Sequence, residues 1–458
     1  MACSPEAAKF TVRRQPAVLV APAGPTPREL KRLSDLDDQD TLWLQISSIQ
    51  FYRSKRGNKD DPVEVIRDAL SKALVHYYPF AGRLREHDDG RKLTVDCTAE
   101  GVLFVEADAD VPLEHFGDAL LPPFPCLEEL IFDVPGSSDI LNTPLLLFQV
   151  TRLTCGGFIL CVRLNHTMAD AQGMAQFLGA VAELARGALA PSVPPVWERH
   201  LLEARNNPPP HAPALLHDNS SSIMVSLHDR EQLRHRSFFF GPKEIAAIRA
   251  ELSPELQKRA TKFDTIAGWL WKFRTVALAP DDSNEVMPLA IIVNARGRRS
   301  SIVIPAGYYG NAFVAPVATS TAGEICENPL SYTVELVNKA KDEVDMEYVR
   351  SMADLIVLRG RKTPLPTAPG TYYLSDVTRA RFEDHDFGWG RPVYGGPAEG
   401  VGSQSFPWVL SFVLPFKNAN GEDGVVVPVC LPGPAMDRLV EEMGKLRLQP
   451  PVDETTLR

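Results

Sequence analysis

A histidine and an aspartate four residues apart are the side chains of this sequence best suited to catalysis. They belong to the segment 166–170, HTMAD, which follows an apolar run and precedes an amphipathic stretch. Histidine can take a proton near neutral pH. One helical turn would bring Asp170 back beside His166, where it could orient the imidazole. It could instead face away and hold the turn through an arginine, and the residues alone leave both roles open.

Other chemistries find less support in the sequence. There is no HExxH motif and no second histidine near His166, whereas zinc takes three or four ligands. A GxSxG segment for a hydrolase nucleophile is absent, as are the GxGxxG and GxxxxGK[ST] phosphate loops. We therefore expect no metal and no permanently bound cofactor.

Three further segments combine turn formers with groups that donate hydrogen bonds. The segment 386–390, DFGWG, has two glycines that permit turns and an indole that can donate one hydrogen bond. Arg296 follows an apolar run at 287–294, and a guanidinium can bind a buried carboxylate through two hydrogen bonds. The segment 307–312, GYYGNA, is typical of a turn with aromatic packing. Taken singly, these segments are equally well explained as structural turns and a solvated basic loop.

Length and composition indicate a folded protein of more than one domain. The chain has 458 residues, 44% of them hydrophobic and 23% charged, and a formal net charge of −10. The excess of acidic over basic residues argues against a general nucleic-acid binder. No apolar run reaches the ~20 residues of a membrane helix. The seven cysteines are odd in number and form no CxxC pair. We expect reduced thiols and a cytoplasmic protein with no secretory signal.

A proline-rich stretch at 191–222 divides the chain into two halves. We predict an N-terminal domain at 1–190 that carries HTMAD, a crossover loop at 191–222, and a C-terminal domain at 223–458 that carries DFGWG. Apolar spacing predicts mixed α and β structure without strict βαβ alternation. The predicted helices cover 62–77, 171–187, 242–252, 264–278, parts of 328–357, and 436–446, and the predicted strands 93–95, 102–105, 158–164, 287–294, 406–414 and 424–431.

The motifs HTMAD at 166–170, DFGWG at 386–390, YPFAGRL at 78–84 and YYGNA at 308–312 occur in the order and spacing of one family. The chain resembles the plant BAHD acyltransferases, which transfer an acyl group from coenzyme A (CoA) to an alcohol or an amine. The resemblance covers essentially the whole chain, including the segment LSDLDDQ at 33–39. Both signature motifs of the family are intact.

The resemblance implies a fold of two chloramphenicol acetyltransferase-like domains with a solvent channel between them. His166 would be the general base that takes the acceptor's proton and returns it to the departing CoA thiolate. Trp389 would donate a hydrogen bond to the tetrahedral oxyanion. Asp170 would point away from the substrates as a structural orienter, and Arg296 is the candidate for its partner.

CoA carries phosphates, so the resemblance also requires a local basic site. Lys262, at the start of a predicted helix, is the candidate for it. Asp386, Gly388 and Gly390 of DFGWG are further candidates for contacts with CoA.

The segment HTMADAQG and the residues after it resemble the branch that includes benzyl alcohol benzoyltransferases and the grass enzymes that acylate monolignols. Ala312 stands where the anthocyanin malonyl branch usually has cysteine. We expect an aromatic acyl-CoA (benzoyl, p-coumaroyl or feruloyl) and a small apolar primary alcohol (benzyl alcohol, an aliphatic alcohol or a monolignol). An amine N-acyltransferase of the same fold and a non-catalytic CoA-ester-binding relative stay open. Because the family is mostly monomeric, we expect a monomer.

Overall fold

The structure is a computed structural model of the chain. The residues it describes are 10–55, 57, 60–86, 92–117, 120–122, 124, 127–137, 139–209, 233–297, 303–360, 370–401, 408–418 and 420–448. Residues 210–222 of the predicted crossover loop, residues 223–232 of the predicted C-terminal domain and residues 406–407 of a predicted strand lie outside these ranges.

The strands fall into two large sheets and one small one. They are β1 Val12–Arg14, β2 Val18–Val20, β3 Leu30–Arg32, β4 Gln45–Tyr52, β5 Arg83–Glu86, β6 Leu93–Asp96, β7 Val102–Ala109, β8 Leu146–Arg152, β9 Phe158–Asn165, β10 Leu233–Phe240, β11 Leu289–Asn294, β12 Phe313–Val314, β13 Val317–Ala318, β14 Tyr372–Asp376, β15 Tyr394–Pro397, β16 Leu410–Lys417 and β17 Asp423–Pro432.

Several helices begin where a capping side chain or a proline favours a start. Asp61 caps the first helix and accepts a hydrogen bond from the Val63 amide, with Pro62 in the first turn. The helices are α1 Pro62–His76, α2 Leu127–Leu130, α3 Ala171–Ala185, α4 Pro242–Ala250, α5 Pro254–Arg259, α6 Lys262–Leu278, α7 Ala322–Glu327, α8 Leu330–Asp342, α9 Met346–Leu358 and α10 Gly433–Leu448.

The N-terminal sheet has the order β1-β7-β8-β9-β4-β15, with β2 also paired to β7. Its pairs are antiparallel except for β7 and β8, which run parallel. Helices α1 and α3 cover one face, where Phe80, Phe148 and Phe177 belong to the core. Strand β9 lies inside this sheet and all its residues are buried, which agrees with the apolar run that predicted it.

The C-terminal sheet has the order β10-β17-β16-β14-β11-β12, with β13 also paired to β11. It is mixed too, because β14 runs parallel to both β11 and β16. Helices α4, α6, α8 and α10 cover it, and Trp269 and Trp271 of α6 are almost fully buried in that core. The protein is therefore a mixed α/β chain with two sheet-rich domains, as the sequence predicted.

Strand β15 crosses from the second half of the sequence into the first sheet. Its residues Tyr394–Pro397 pair with β4, and Val401 then forms a bridge to Ser411 in β16. Phe387 and Trp389 also pack in the N-terminal core. The DFGWG segment thus lies on the N-terminal sheet, which differs from the predicted division that placed it in the C-terminal domain.

Among the described residues, no helix combines the length and apolar character that a membrane crossing requires.

Candidate active site

His166 lies in the short loop between the end of β9 and the start of α3. Its backbone amide donates to the carbonyl of Leu44, the residue before β4, over 2.9 Å. Asn165, the last residue of β9, holds the loop residue Thr167, because its Oδ1 accepts hydrogen bonds from the amide and the hydroxyl of Thr167. The loop is therefore tied to the sheet on both sides of His166, which holds the imidazole in a defined place.

The imidazole of His166 is half-buried beside the ring of Phe313, with 6.0 Å between ring centroids. Burial lowers the pKa of His166 below its usual range, while the negative charge of Asp170 and a hydrogen bond with the side chain of Asn311 act in the opposite direction. A lowered pKa favours the neutral imidazole, the state that a general base requires.

Asp170 directs its carboxylate to groups other than the imidazole. It caps α3 by accepting from the Gly173 amide over 2.8 Å, and it accepts from the Ala312 amide over 3.0 Å. Arg296 binds both of its oxygens, at 2.7 and 3.2 Å. These donors outweigh burial and lower the pKa of Asp170, so the carboxylate is ionised. The structure thus brings together Asp170 and Arg296, the pair proposed from the sequence.

Arg296 also holds the turn at 308–312. Its Nη2 donates to the carbonyl of Gly310 over 2.7 Å, and its guanidinium contacts the carbonyl of Tyr308 at 3.3 Å. The pair therefore joins the start of α3 in the N-terminal domain to a turn of the C-terminal domain.

A second buried pair lies on the other side of His166, and sequence reasoning missed it. Asp37 and Arg199 are 0% and 2% exposed, and their side chains are 2.8 Å apart. Asp37 lies in the LSDLDDQ segment, whose presence was noted without a role. Arg199 lies in a 3₁₀ turn at Arg199–Leu202 within the proline-rich stretch. A composition typical of an exposed linker offers no signal for a buried cation.

The oxyanion role predicted for Trp389 does not fit the structure. The indole packs edge-on against Phe158, with 5.2 Å between ring centroids, at the first residue of β9. His166 follows the last residue of that strand, roughly 25 Å away at about 3.3 Å per residue. The tryptophan is therefore too far from His166 to share a tetrahedral intermediate, and we correct that assignment.

Asp386, Gly388 and Gly390, the DFGWG residues that were candidates for contacts with CoA, form a turn with one another. Asp386 Oδ1 accepts from the amides of Gly388 and Gly390 at 2.7 and 2.8 Å. Both glycines have a positive φ, of 111° and 89°, which residues with a Cβ seldom adopt. Because a carboxylate that closes this turn would also repel a phosphate, we do not assign these three residues to CoA.

Lys262 is the first residue of α6, and its side chain is exposed. The N-terminus of this helix is already closed by Thr261 and Asp264, which form a reciprocal capping box. An approaching phosphate would compete with the Asp264 carboxylate for the Thr261 amide and with the Thr261 hydroxyl for the Asp264 amide. The assignment of Lys262 to CoA therefore stays a prediction.

Residues 9–446 match the sequence profile described as the Transferase family. A benzyl alcohol O-benzoyltransferase of Petunia hybrida is 56% identical over 444 residues, 95% of this chain and 94% of that protein. The enzyme of the same name from Nicotiana tabacum is 55% identical, over 97% of this chain and 96% of its own. Alcohol acyltransferase 16 of Actinidia chinensis var. chinensis is 50% identical, over 97% of this chain and 96% of that protein.

Solved structures share the fold at much lower identity. Vinorine synthase superposes with a TM-score of 0.71 at 23% identity, over 95% of this chain and 98% of that one. TRI101 of F. graminearum, in complex with coenzyme A and deoxynivalenol, superposes with a TM-score of 0.70 at 18% identity, over 91% of this chain and 98% of that one. At these identities the comparison establishes the fold.

Proposed function

We propose that this chain, which belongs to the BAHD family of transferases, is an acyl-CoA-dependent alcohol O-acyltransferase with His166 as its general base. The relatives described above are named for transferring acyl groups to alcohols, and the similarity to them spans nearly the whole chain. The CoA complex of a protein with this fold supports acyl-CoA as the donor.

One observation at the site carries the role of His166. The imidazole is half-buried and burial lowers its pKa, while the carboxylate four residues on is engaged by Arg296 and by two backbone amides. Asp170 thus fixes the loop through Arg296 and the two amides and not through a hydrogen bond to the imidazole. A serine–histidine–aspartate relay would require Asp170 to face the ring instead.

The proposed reaction needs no covalent enzyme intermediate. His166 removes the hydroxyl proton as the alcohol oxygen attacks the thioester carbonyl of the bound acyl-CoA. Collapse of the tetrahedral intermediate breaks the carbon–sulfur bond, and the imidazolium returns the proton to the CoA thiolate. Ester and free CoA leave. Holding both substrates in one orientation supplies much of the rate.

For the substrates we propose an aromatic acyl-CoA and a small apolar primary alcohol. The two benzyl alcohol O-benzoyltransferases support benzoyl-CoA with benzyl alcohol as the first pair to test. The names of the alcohol acyltransferases at about 50% identity support alcohols as the acceptor class, and aliphatic alcohols are additional acceptors to test. Monolignols and hydroxycinnamoyl donors belong to the same test.

We also propose that the enzyme is a monomer of the cytosol. Cys97, Cys161 and Cys430 are buried free thiols, which agrees with a reducing compartment. Size-exclusion chromatography with light scattering tests the first statement, and imaging of a fluorescent fusion in plant cells tests the second.

The experiment is to follow CoA thiol release by the purified protein for benzoyl-, p-coumaroyl-, feruloyl-, acetyl- and malonyl-CoA. The acceptors are benzyl alcohol, hexenol, coniferyl alcohol, shikimate and spermidine, and the products are identified by mass spectrometry. His166→Ala should lose turnover, whereas His200→Ala, at an exposed histidine paired with Glu198, should not. Amide formation with spermidine alone, or no CoA release by folded protein, would overturn the proposal.

A further inference from the structure

We propose that Arg199, together with Asp37, positions the His166 loop for catalysis from the segment that joins the two domains. The inference deepens the acyltransferase function proposed above and rests on it. It assigns a role to a residue that lies outside the family motifs found in the sequence.

The pair is among the most deeply buried charges of the described structure. Arg199 Nη1 lies 2.8 and 3.0 Å from the two carboxylate oxygens of Asp37. Asp37 also accepts from the amide and hydroxyl of Ser34, at 3.0 and 2.6 Å. Two buried charges of this kind persist only when their hydrogen bonds are well satisfied, so each partner depends on the other.

Arg199 binds the backbone of the catalytic loop directly, and Asp37 is connected to it through Asn311. Arg199 Nη2 donates to the carbonyl of Met168 over 2.8 Å. Asp37 Oδ1 accepts from the amide and from the side-chain Nδ2 of Asn311, each at 2.9 Å. The same Nδ2 donates to the carbonyl of His166 over 2.8 Å. The carbonyls at both ends of the stretch from His166 to Met168 are therefore held by this one network.

The network is separate from the pair formed by Asp170 and Arg296. Successive amides of the 308–312 turn bind different carboxylates, because the Asn311 amide donates to Asp37 and the Ala312 amide donates to Asp170. Asp170 fixes the start of α3, after the histidine. Asp37 and Arg199 act on the carbonyls of His166 and Met168, so loss of either pair should disturb the loop in a different way.

The surroundings of the guanidinium fit arginine better than lysine. Its Cζ lies 4.4, 5.4 and 5.2 Å from the ring centroids of Trp197, Tyr308 and Tyr309. A Cβ added to Gly310 would lie 1.6 Å from Nη1, so the guanidinium occupies the space that any other residue at position 310 would need. A planar fork can bind Asp37 and Met168 at once, whereas a single ammonium on a flexible chain is less able to do so.

The test compares the wild type with Arg199→Met, Arg199→Lys and a matched control, Arg205→Met. Arg205 belongs to the same connecting segment and also pairs with carboxylates, because its Nη2 lies 2.8 Å from Glu347, but it binds α9 instead of the catalytic loop. With benzoyl-CoA and benzyl alcohol, Arg199→Met should lower kcat roughly 10²-fold, the effect of a displacement of about 1 Å at a catalytic group. The KM of each substrate should stay within about twofold because Arg199 contacts the loop and not a substrate-binding group.

Three results would overturn the role. They are a kcat within twofold of the wild type in folded Arg199→Met, a rise in KM at unchanged kcat, and an equal loss of kcat in Arg205→Met. If Arg199→Met does not fold, Arg199→Lys is the deciding variant. A kcat of Arg199→Lys below that of Arg205→Met would support the role, and a kcat equal to that of Arg205→Met would refute it.

A second readout does not depend on turnover. The protein has 10 histidines, and labelling their imidazoles with ¹³C gives nuclear magnetic resonance signals of which one disappears in His166→Ala. That signal should move in both Arg199 variants and stay in place in Arg205→Met. If the wild type forms no ester, the proposed function fails while this shift still supports the positioning role, and an unmoved signal refutes the role.

Discussion

Replacement of Asp170 by alanine should destabilise the protein and impair turnover together. The change leaves Arg296, whose side chain is 17% exposed, without its carboxylate partner. It also removes the cap of α3 and the acceptor for the Ala312 amide. Breaking a buried ion pair by removing one partner costs about 3–5 kcal/mol, and loss of an N-cap alone costs about 0.5–2 kcal/mol. We therefore expect a loss of at least about 3 kcal/mol.

Asp170→Asn separates the two contributions. Asparagine keeps an oxygen for the Gly173 amide and is itself a good N-cap, whereas its Nδ2 replaces the oxygen that accepts from Arg296 and from the Ala312 amide, so these two contacts are lost or weakened. The expected loss is about 1.5–3 kcal/mol. The double variant Asp170→Asn/Arg296→Met should be more stable than the sum of the single losses predicts, because no buried charge is left unpaired.

Urea titration followed by both tryptophan fluorescence and circular dichroism measures these losses, and agreement between the probes shows that one transition is observed. CoA release measures turnover on the same samples. An Asp170→Ala variant with an unchanged urea midpoint and a large loss of turnover would refute the reasoning. In that case the aspartate would act on the imidazole itself.

Two other predictions follow from the packing of the DFGWG region. Trp389→Phe should keep kcat within about threefold, since the ring can still pack on Phe158, and a loss of 10²–10³-fold in folded protein would restore the oxyanion role. His385 is buried, its Nδ1 lies 2.8 Å from Gln50 Nε2, and burial lowers its pKa from 6.5 to about 4. Because the folded state disfavours the imidazolium, stability should be constant above pH 6.5 and should fall as the pH drops toward 4, by up to about 3 kcal/mol. The urea midpoint of His385→Gln should fall less over that range, and equal slopes would show that another group is responsible.

Strands and helices with a strong apolar pattern were predictable from the sequence. The run at 158–164 is observed as β9, Phe158–Asn165, and the amphipathic stretch after it as α3, Ala171–Ala185. Strand β9 is buried along its whole length and α3 is buried on the face that the spacing indicates, and together they place His166 at their junction.

Strand β15 could not be predicted, for a physical reason. Three of its four residues, Gly395, Gly396 and Pro397, have little intrinsic preference for a strand. Pairing with β4 at the edge of the N-terminal sheet, some 340 positions earlier in the sequence, stabilises it there. That long-range pairing places Trp389 at the end of β9 that lies away from His166, and no local sequence pattern predicts this position.

The two charged pairs also differ in how far the sequence predicts them. The pairing of Asp170 with Arg296 was proposed from a motif and from the role that the resemblance gave it. Arg199 lies among prolines and charged residues, a composition that predicts an exposed loop. Its burial depends on Asp37, Gly310 and the rings of Tyr308 and Tyr309, all from distant segments, so only the folded chain reveals it.

The pH dependence of kcat/KM for benzoyl-CoA and benzyl alcohol, measured beside His166→Ala, tests the central claim most directly. Because burial lowers the pKa of His166, the rate should rise with pH through a midpoint below the usual value of about 6.5 and then level off. His166→Ala should show no such rise and almost no turnover. A rise centred well above pH 7, or a variant that keeps the wild-type rate and profile, would contradict the assignment of His166 as the general base.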